Sequence, residues 1–215
     1  MSVYLHHYIQ TRPRTWKAVA DAIADGSAAR FASSGGALYG IWRPQIGRPR
    51  EELTAMTVWP DAEAGRTAVA ALLAAVPDVV AHTSLAMVPT LRPATPEPPR
   101  RQGNFAFRWF DTPSPNWDEF LDLCAGAWPG FEAAYDSQVV GLWRIVPDDG
   151  ASVRSLLLTR RPDLAMWERS KIPQGAGESE VRRKLSRRYD LCDDTVVYTT
   201  TLLTAGDKQD TARWT

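Results

Sequence analysis

Hydrophobic and polar positions along the chain switch repeatedly between the two-residue period of a strand and the helical period of about 3.6 residues. Up to residue 88 the pattern predicts the order strand, helix, strand, strand, helix, strand. The predicted strands cover residues 3–9, 38–43, 53–59 and 80–88, and the two helices begin behind Thr15 and Asp61. Both of these residue types are favoured at the N-cap of a helix.

The same order of elements occurs a second time. Gly40-Ile41-Trp42-Arg43 returns as Gly141-Leu142-Trp143-Arg144, and the shift that aligns the two tetrapeptides also aligns Trp16 with Trp117. Further strands are predicted over residues 105–110, 139–145, 153–159 and 195–203, with helices behind Asn116 and Asp163. An internal duplication of this kind indicates one structural unit that is used twice.

The order βαββαβ is that of the ferredoxin-like arrangement, in which both helices lie on one face of an antiparallel sheet. The opposite face also carries apolar side chains, because side chains alternate between the two faces of a strand. With two copies in one chain, we expect the two sheets to face each other as a barrel with the helices outside. The sequence therefore predicts an α+β fold of two fused ferredoxin-like repeats.

The predicted repeats cover residues 1–92 and 104–204. Residues 93–103 are rich in proline and indicate an extended linker, and residues 205–215 form a polar tail. Within the second repeat, residues 172–177 interrupt the second helical pattern and are interpreted as an insertion. The basic residues between Arg182 and Arg188 that follow it are interpreted as a solvated helix face with local ion pairs.

Composition excludes several classes of protein. The 215 residues include 25 basic and 25 acidic side chains, a balance that lacks the field needed to recruit nucleic acid or an anionic membrane. Two cysteines do not make a disulfide framework. We find no signal-peptide pattern and no apolar run of about 20 residues that could span a bilayer. A cytoplasmic location is expected.

Several motifs of the first repeat resemble the NIPSNAP-like pattern, in which a Gly-x-Trp strand is followed by a glycine turn, a strand ending in tryptophan and a helix carrying arginine. The matching residues are Gly40, Trp42, Gly47, Trp59 and Arg66. NIPSNAP domains belong to the dimeric α/β-barrel superfamily, so the resemblance implies the same fold as the duplication. Other members of that superfamily bind haem, cyclise polyketides or oxidise small aromatic compounds without a cofactor.

The resemblance is weaker in the second repeat. Gly141-Leu142-Trp143-Arg144 is kept, whereas the glycine turn is missing in the same form and Arg161 stands in the place of Trp59.

The first strand of each repeat carries a basic residue at the same position, His7 in one and Arg108 in the other. The alternate row of the second copy is aromatic, so we expect that row, and with it Tyr4, His6 and Tyr8, to pack under the helices. We then expect His7 and Arg108 to line the barrel cavity as catalytic residues, the alternative being that each is a satisfied or rim-exposed side chain. The pKa of an ordinary histidine suits proton transfer near neutrality, and Arg108 would hold a carboxylate, enolate or phenolate oxygen.

Substrate contacts are predicted from the repeated motif and from the last strand. The candidates are Trp42, Arg43, Trp143, Arg144 and Tyr198. Each has an alternative interpretation, since tryptophans dominate cores, arginines at strand ends are commonly solvated, and Tyr198 lies among threonines that are normal in strands.

Metal binding is not expected. His6 and His7 point to opposite faces of a strand, and no Cys-x-x-Cys or His-Glu-x-x-His motif occurs. No cofactor is expected either, and the alternative of a haem would require His7 or His82 as axial ligand.

The predicted function is a small-molecule enzyme that uses the barrel interior for metal-free acid/base chemistry, of cyclisation, isomerisation or lyase type, on an apolar or aromatic oxygenated substrate. The alternative is a non-catalytic ligand-binding or interaction protein of the NIPSNAP type, and a haem-binding barrel is less favoured. A homodimer is compatible with either interpretation.

Overall fold

The computed structural model describes residues 2–148 and 150–207. Its strands are β1 (Val3–Thr11), β2 (Ala37–Ile46), β3 (Glu52–Trp59), β4 (Val79–Arg92), β5 (Asn104–Pro113), β6 (Gln138–Ile145), β7 (Ser152–Arg161) and β8 (Asp194–Leu202). Its helices are α1 (Trp16–Ala32), α2 (Ala62–Ala75), α3 (Trp117–Tyr135), α4 (Leu164–Arg169) and α5 (Ala176–Asp190), with a short 3-10 turn at Ser114–Asn116.

Within the described residues, eight strands and five α-helices confirm the predicted α+β class. The described chain forms two compact units. The first comprises residues up to Val88, then residues 95–102 and those from Thr200 onward, and the second comprises residues 89–94 and 103–199. Of the predicted polar tail, residues 208–215 lie outside the described part of the chain.

In the first unit, β1 pairs with β3 and β4, and β3 also pairs with β2. Helix α2 begins as predicted, because Oδ1 of Asp61 accepts hydrogen bonds from the backbone N–H groups of Glu63 at 3.0 Å and Ala64 at 2.9 Å. Two of the orphan donors at the helix start are thereby satisfied. Helix α2 packs against β1 and β3, and Val69, Leu72 and other apolar residues of the helix are buried.

The prediction of which row of β1 lies under the helices is wrong. A β-carbon added to Gly65 of α2 would lie 2.8 Å from Cδ1 of Leu5, so the row of Leu5, His7 and Ile9 faces the helices. The other row is buried as well, with Tyr4 at 1% and His6 at 0% exposure. Hydrophobicity therefore could not tell the two faces of this strand apart.

His7 is built into this helix-covered face through hydrogen bonds on both ring nitrogens. Nδ1 lies 2.7 Å from Oγ of Ser84, and Nε2 lies 3.0 Å from Oγ1 of Thr57, which also accepts from Nε1 of Trp59 at 2.6 Å. Burial lowers the pKa of His7 to about 3, with further contributions from the charges of His82 and Arg66. The imidazole is therefore neutral at pH 7.

In the second unit, β7 lies between β5 and β6, and α3 and α5 pack on one another over one face of the sheet. Phe110, Leu142 and Leu157 from the sheet join apolar residues of α3 in that core. Asp163 caps α4 as predicted, accepting from the backbone N–H of Met166 at 2.7 Å. The predicted insertion lies two residues earlier than expected, at residues 170–175, since α4 ends at Arg169 and α5 already begins at Ala176.

The repeated Gly-x-Trp motif has the same local geometry in both units. The strand register shifts just before Gly40 in β2 and just before Gly141 in β6. A β-carbon would lie 2.5 Å from Cη2 of Trp42 at the first glycine and 2.3 Å from Cη2 of Trp143 at the second. Each indole thus occupies the space of a side chain two residues earlier, and both tryptophans are fully buried.

We expect Gly141→Ala to destabilise the protein by about 1–3 kcal/mol, because the buried indole of Trp143 must move to admit a methyl group. Urea unfolding followed by circular dichroism measures the change. Gly177→Ala is the matched control, since no atom lies within 4 Å of a β-carbon there. Equal losses in the two variants would contradict this account of the motif.

Stability should fall on acidification through the two buried histidines. Burial lowers the pKa of both His6 and His7 to about 3, whereas an unfolded histidine titrates near pH 6.5. The unfolded chain therefore takes up protons first, and stability is lost as the pH falls from about 6.5 toward 3, at up to about 1.4 kcal/mol per pH unit for each histidine.

A variant separates this effect from the titration of carboxylates. His7→Gln should reduce the pH slope of the unfolding free energy between pH 6.5 and 5, measured by urea titration at several pH values. An unchanged slope in His7→Gln would refute the assignment of the proton uptake to this residue.

Candidate functional site

A cavity of about 290 Å³ lies within the second unit, between the helix-covered face of its sheet and α3, α4 and α5. Its aromatic wall consists of Trp128 and Phe131 from α3 and Trp167 from α4. Leu157, Val139 and Leu185 add apolar surface. A cavity that combines apolar walls with a few directed polar groups is typical of a small-molecule site.

Strand geometry explains which residues of the sheet reach this cavity. Leu157, Thr159 and Arg161 are alternate residues of β7 and share one face. Arg108 of β5 stands directly opposite Leu157 in the strand register, so it lies on that face too. The sheet therefore contributes two arginines and one hydroxyl to the cavity.

Arg161 is held in place by aromatic rings and one hydroxyl. Its side chain is 8% exposed, Nη1 donates to Oγ1 of Thr159 at 3.1 Å, and Cζ lies 5.0 Å from the ring centre of Phe131 and 5.3 Å from that of Trp167. Burial, followed by the charge of Arg108, lowers the pKa of Arg161 to about 10. The guanidinium remains charged at pH 7.

Arg188 enters from α5 and is 3% exposed. Its Nη1 donates to Sγ of Cys124 at 3.5 Å, and its Cζ lies 4.7 Å from the ring centre of Phe110. Burial raises the pKa of the Cys124 thiol. The sulfur is therefore neutral at pH 7 and does not balance the charge of Arg188.

Arg108 lies beside Tyr189 of α5, with Cζ 5.3 Å from the ring centre. Burial lowers the pKa of Arg108, and the nearby charges of Arg188 and Arg182 lower it further against an opposing effect of Tyr189. The arginines of this cavity thus repel one another in a partly desolvated space.

No carboxylate among the described residues lines the cavity. None of its arginines lies within 4.0 Å of a carboxylate oxygen in residues 2–148 and 150–207. The four are Arg108, Arg161, Arg182 and Arg188. Burial of charge without an opposite charge is unfavourable, so the cavity is electrostatically suited to an anion.

The insertion between α4 and α5 borders the cavity through Ser170 and Lys171. An ion pair joins the two ends of this insertion, because Nη2 of Arg169 donates to Oε1 of Glu178 at 2.7 Å. The other oxygen, Oε2 of Glu178, accepts from the backbone N–H of Gln174 at 2.7 Å and from the hydroxyl of Tyr135 at 3.2 Å. The hydrogen bond from Arg169, followed by that from Gln174, lowers the pKa of Glu178 to about 2. The loop is therefore tied at both ends.

Of the two predicted catalytic residues, Arg108 lines the cavity and His7 does not. The row of β1 that carries His7 faces the helices of the first unit, where its ring nitrogens are hydrogen-bonded within the protein. Arg108 also faces helices, contrary to the expectation that this row points away from them. The catalytic role of both residues stays a prediction.

The predicted substrate-binding residues lie elsewhere. Trp42 and Trp143 are fully buried over their glycines, and Tyr198 stacks on Phe107 with ring centres 5.2 Å apart. Arg43 lies over the ring of Trp16 at 3.8 Å, and Arg144 lies 3.7 Å from Asp148. These residues are absent from the described cavity lining, and their binding role remains a prediction.

Sequence reasoning missed Arg161, Arg182, Arg188 and Tyr189. The interpretation of the basic cluster as a solvated face holds for Arg183 and Arg187, which pair with Glu180 at 2.7 Å and Glu119 at 2.9 Å. It is wrong for Arg188, which is buried, and for Arg182, which lines the cavity. The helical period places Arg183 and Arg187 on one face of α5, away from Arg182 and Arg188, and this period was the signal in the sequence that could have distinguished them.

A metal or haem finds few ligands here. In the described residues no group of three or more His, Cys, Asp or Glu side chains converges. The described cavity lining contains no histidine, cysteine or methionine, and Tyr189 is its one side chain of a type that ligates haem iron. Of the histidines considered for a haem, His7 is engaged at both nitrogens and His82 is exposed. The residues present do not fit an imidazole-ligated haem.

No protein-family model matches the chain, and no curated protein matches it in sequence. Solved structures share its fold. An anthrone oxidase-like protein superposes with a TM-score of 0.58 at 14% identity, covering 97% of this chain and 95% of its own.

A chlorite dismutase variant from Candidatus Nitrospira defluvii superposes with a TM-score of 0.60 at 9% identity, covering 94% of this chain and 91% of its own. At such identities the likeness shows the fold alone. The chain therefore has the fold of the dimeric α/β-barrel proteins.

Proposed function

We propose that the protein is a small-molecule enzyme whose site is the cavity of the second unit, and that it acts on an aromatic compound with an anionic or enolisable oxygen. The observation that carries the proposal is that the four cavity arginines have no carboxylate partner among the residues that the structure describes. An aromatic wall and an excess of positive charge together favour a flat, negatively charged ligand.

Arg108 is the residue that we assign to oxyanion stabilisation. It projects from a strand, which holds it more rigidly than a loop would, and its guanidinium offers paired N–H donors to an enolate, phenolate or carboxylate. A partly desolvated guanidinium stabilises charge that develops during a reaction more strongly than a solvated one. The chemistry would be proton transfer of isomerase, cyclase or lyase type without a metal or cofactor.

Two side chains of the cavity lining are candidates for the group that transfers the proton. Tyr189 and Lys171 are the lining side chains that can donate or accept a proton beside Arg108 and Arg161. His7 has less support than these two, because it is 1% exposed and is hydrogen-bonded at both nitrogens. A NIPSNAP-type origin by tandem duplication remains part of this proposal, supported by the equivalent register shifts at Gly40 and Gly141.

The first unit supplies a natural blocking variant. There Trp59 occupies the position of Arg161, lies 4.8 Å from the ring centre of Phe31 and donates to Thr57. Arg161 makes the corresponding contacts with Phe131 and Thr159. Arg161→Trp is therefore expected to fold and to fill part of the cavity.

Binding of 2-naphthoate, measured by isothermal titration calorimetry at pH 7.5, tests the site. We expect Arg108→Met to weaken binding about 10- to 100-fold through loss of a charge-assisted hydrogen bond. Arg161→Trp should abolish it. Arg154→Met is the matched control, because Arg154 lies on β7 beside Trp109 and is absent from the cavity lining. Equal affinities in all variants would overturn the proposal.

Catalysis is tested with phenylpyruvate, an aromatic anion with an enolisable carbon. Exchange of its methylene protons in D₂O, followed by NMR, should be accelerated by the protein and should lose about 100-fold of that acceleration in Arg108→Met. Binding of 2-naphthoate without any exchange would instead support the alternative of a ligand-binding protein.

A further inference from the structure

The charges around the cavity go beyond what a single anionic group would balance. Five basic side chains line it: Arg108, Arg161, Lys171, Arg182 and Arg188. Lys171 is offset by Glu168, which lies 3.0 Å away. The other four have no carboxylate within 4.0 Å among the described residues. A monoanionic ligand would leave most of this charge unbalanced.

The unpaired arginines contrast with their neighbours in the same part of the fold. Arg183 and Arg187, on the outer side of α5, each pair with a glutamate, and Arg169 pairs with Glu178. Acidic partners are thus provided for arginines outside the cavity. In the described part of the chain, Arg182 and Arg188 have no acidic partner although they belong to the same helix as Arg183 and Arg187.

Two of the cavity arginines also keep unused hydrogen-bond donors. Arg161 and Arg188 are more than nine-tenths buried, and Nε of each has no hydrogen-bond partner within the described residues. Buried guanidinium donors are usually satisfied. A bound oxyanion would supply the missing acceptors.

The positive charge is spread along the sheet. Arg108 stands opposite Leu157, whereas Arg161 is four residues further along β7, a separation of about 13 Å between the two backbone levels at 3.3 Å per residue. Arg161 is held between Phe131 and Trp167, and Arg108 lies beside Tyr189. The two guanidinium groups therefore project from different levels of the sheet and have different aromatic neighbours, although the charge of Arg108 still lowers the pKa of Arg161.

We propose that the ligand of this cavity is a flat aromatic dianion with a carboxylate at each end, one held at Arg108 and Arg188 and the other at Arg161. The inference rests on the proposed function, which requires only one anionic group, and adds a second. The aromatic body would lie along Trp128, Phe131 and Trp167. The volume of about 290 Å³ suits a compound of two fused rings better than a larger one.

The test compares naphthalene-2,6-dicarboxylate with 2-naphthoate by isothermal titration calorimetry at pH 7.5. With the unmodified chain, the dicarboxylate should bind at least about tenfold more tightly, because a second charge-assisted contact is made. Arg161→Gln should reduce this preference to about threefold or less while 2-naphthoate still binds. Arg161→Lys keeps the charge and should retain part of the preference, and Arg154→Met should retain all of it.

The outcomes separate the two proposals. If 2-naphthoate binds and the dicarboxylate binds no better, the second anionic group is refuted and the proposed function stands. If neither compound binds, the proposed function fails as well. A preference that survives intact in a folded Arg161→Gln variant overturns the assignment of the second carboxylate to Arg161. Should that variant not fold, the ratio of the two affinities measured on the unmodified chain still decides whether the cavity binds a second anionic group.

Discussion

Alternation of side chains along β5 and β7 is the constraint on which the cavity of the second unit depends. Because residues two apart share a face, Leu157, Thr159 and Arg161 must all point toward the helices once one of them does. The register between the strands then brings Arg108 to the same face. A shift of one residue in β7 would turn Arg161 away and bring Leu156, Leu158 and Arg160 to this face instead.

The two units show how one substitution changes such a space. In the first unit Trp59 packs against Phe31 and hydrogen-bonds Thr57, and this face is a filled core. In the second, Arg161 keeps both kinds of contact with Phe131 and Thr159. A guanidinium is narrower than an indole and carries charge. The exchange of one for the other therefore contributes both space and charge to the cavity, which is also lined by α4 and α5, where the first unit has the single helix α2.

Much of the fold could be predicted from the sequence, whereas most of the site could not. The order of elements follows from hydrophobic periods and from Asp61 and Asp163 as helix caps, which are local signals. The facing of β1 and β5 could not be predicted by the same means, because both rows of each strand are largely buried and alternation of hydrophobicity disappears. Arg108 was selected for its position in the repeat, although the cavity that it lines is on the opposite side of the sheet from the one expected.

The arginines of α5 illustrate the other limit. Arg182 and Arg188 are identical in type to Arg183 and Arg187, and only the packing of α5 on α3 decides which of them are buried. Glutamate partners for the outer pair come from α5 itself and from α3. Sequence proximity made all of them candidates for local pairing, and tertiary contacts selected between them.

The ion pair between Arg169 and Glu178 bears on how an anionic ligand could leave the cavity. Since the pKa of Glu178 is lowered to about 2, its ion pair stabilises the insertion fully above about pH 4.5 and is lost only as the pH falls through 2. The ion pair at the rim therefore persists in mild acid, so a ligand that leaves the cavity above about pH 4.5 must do so with this ion pair formed.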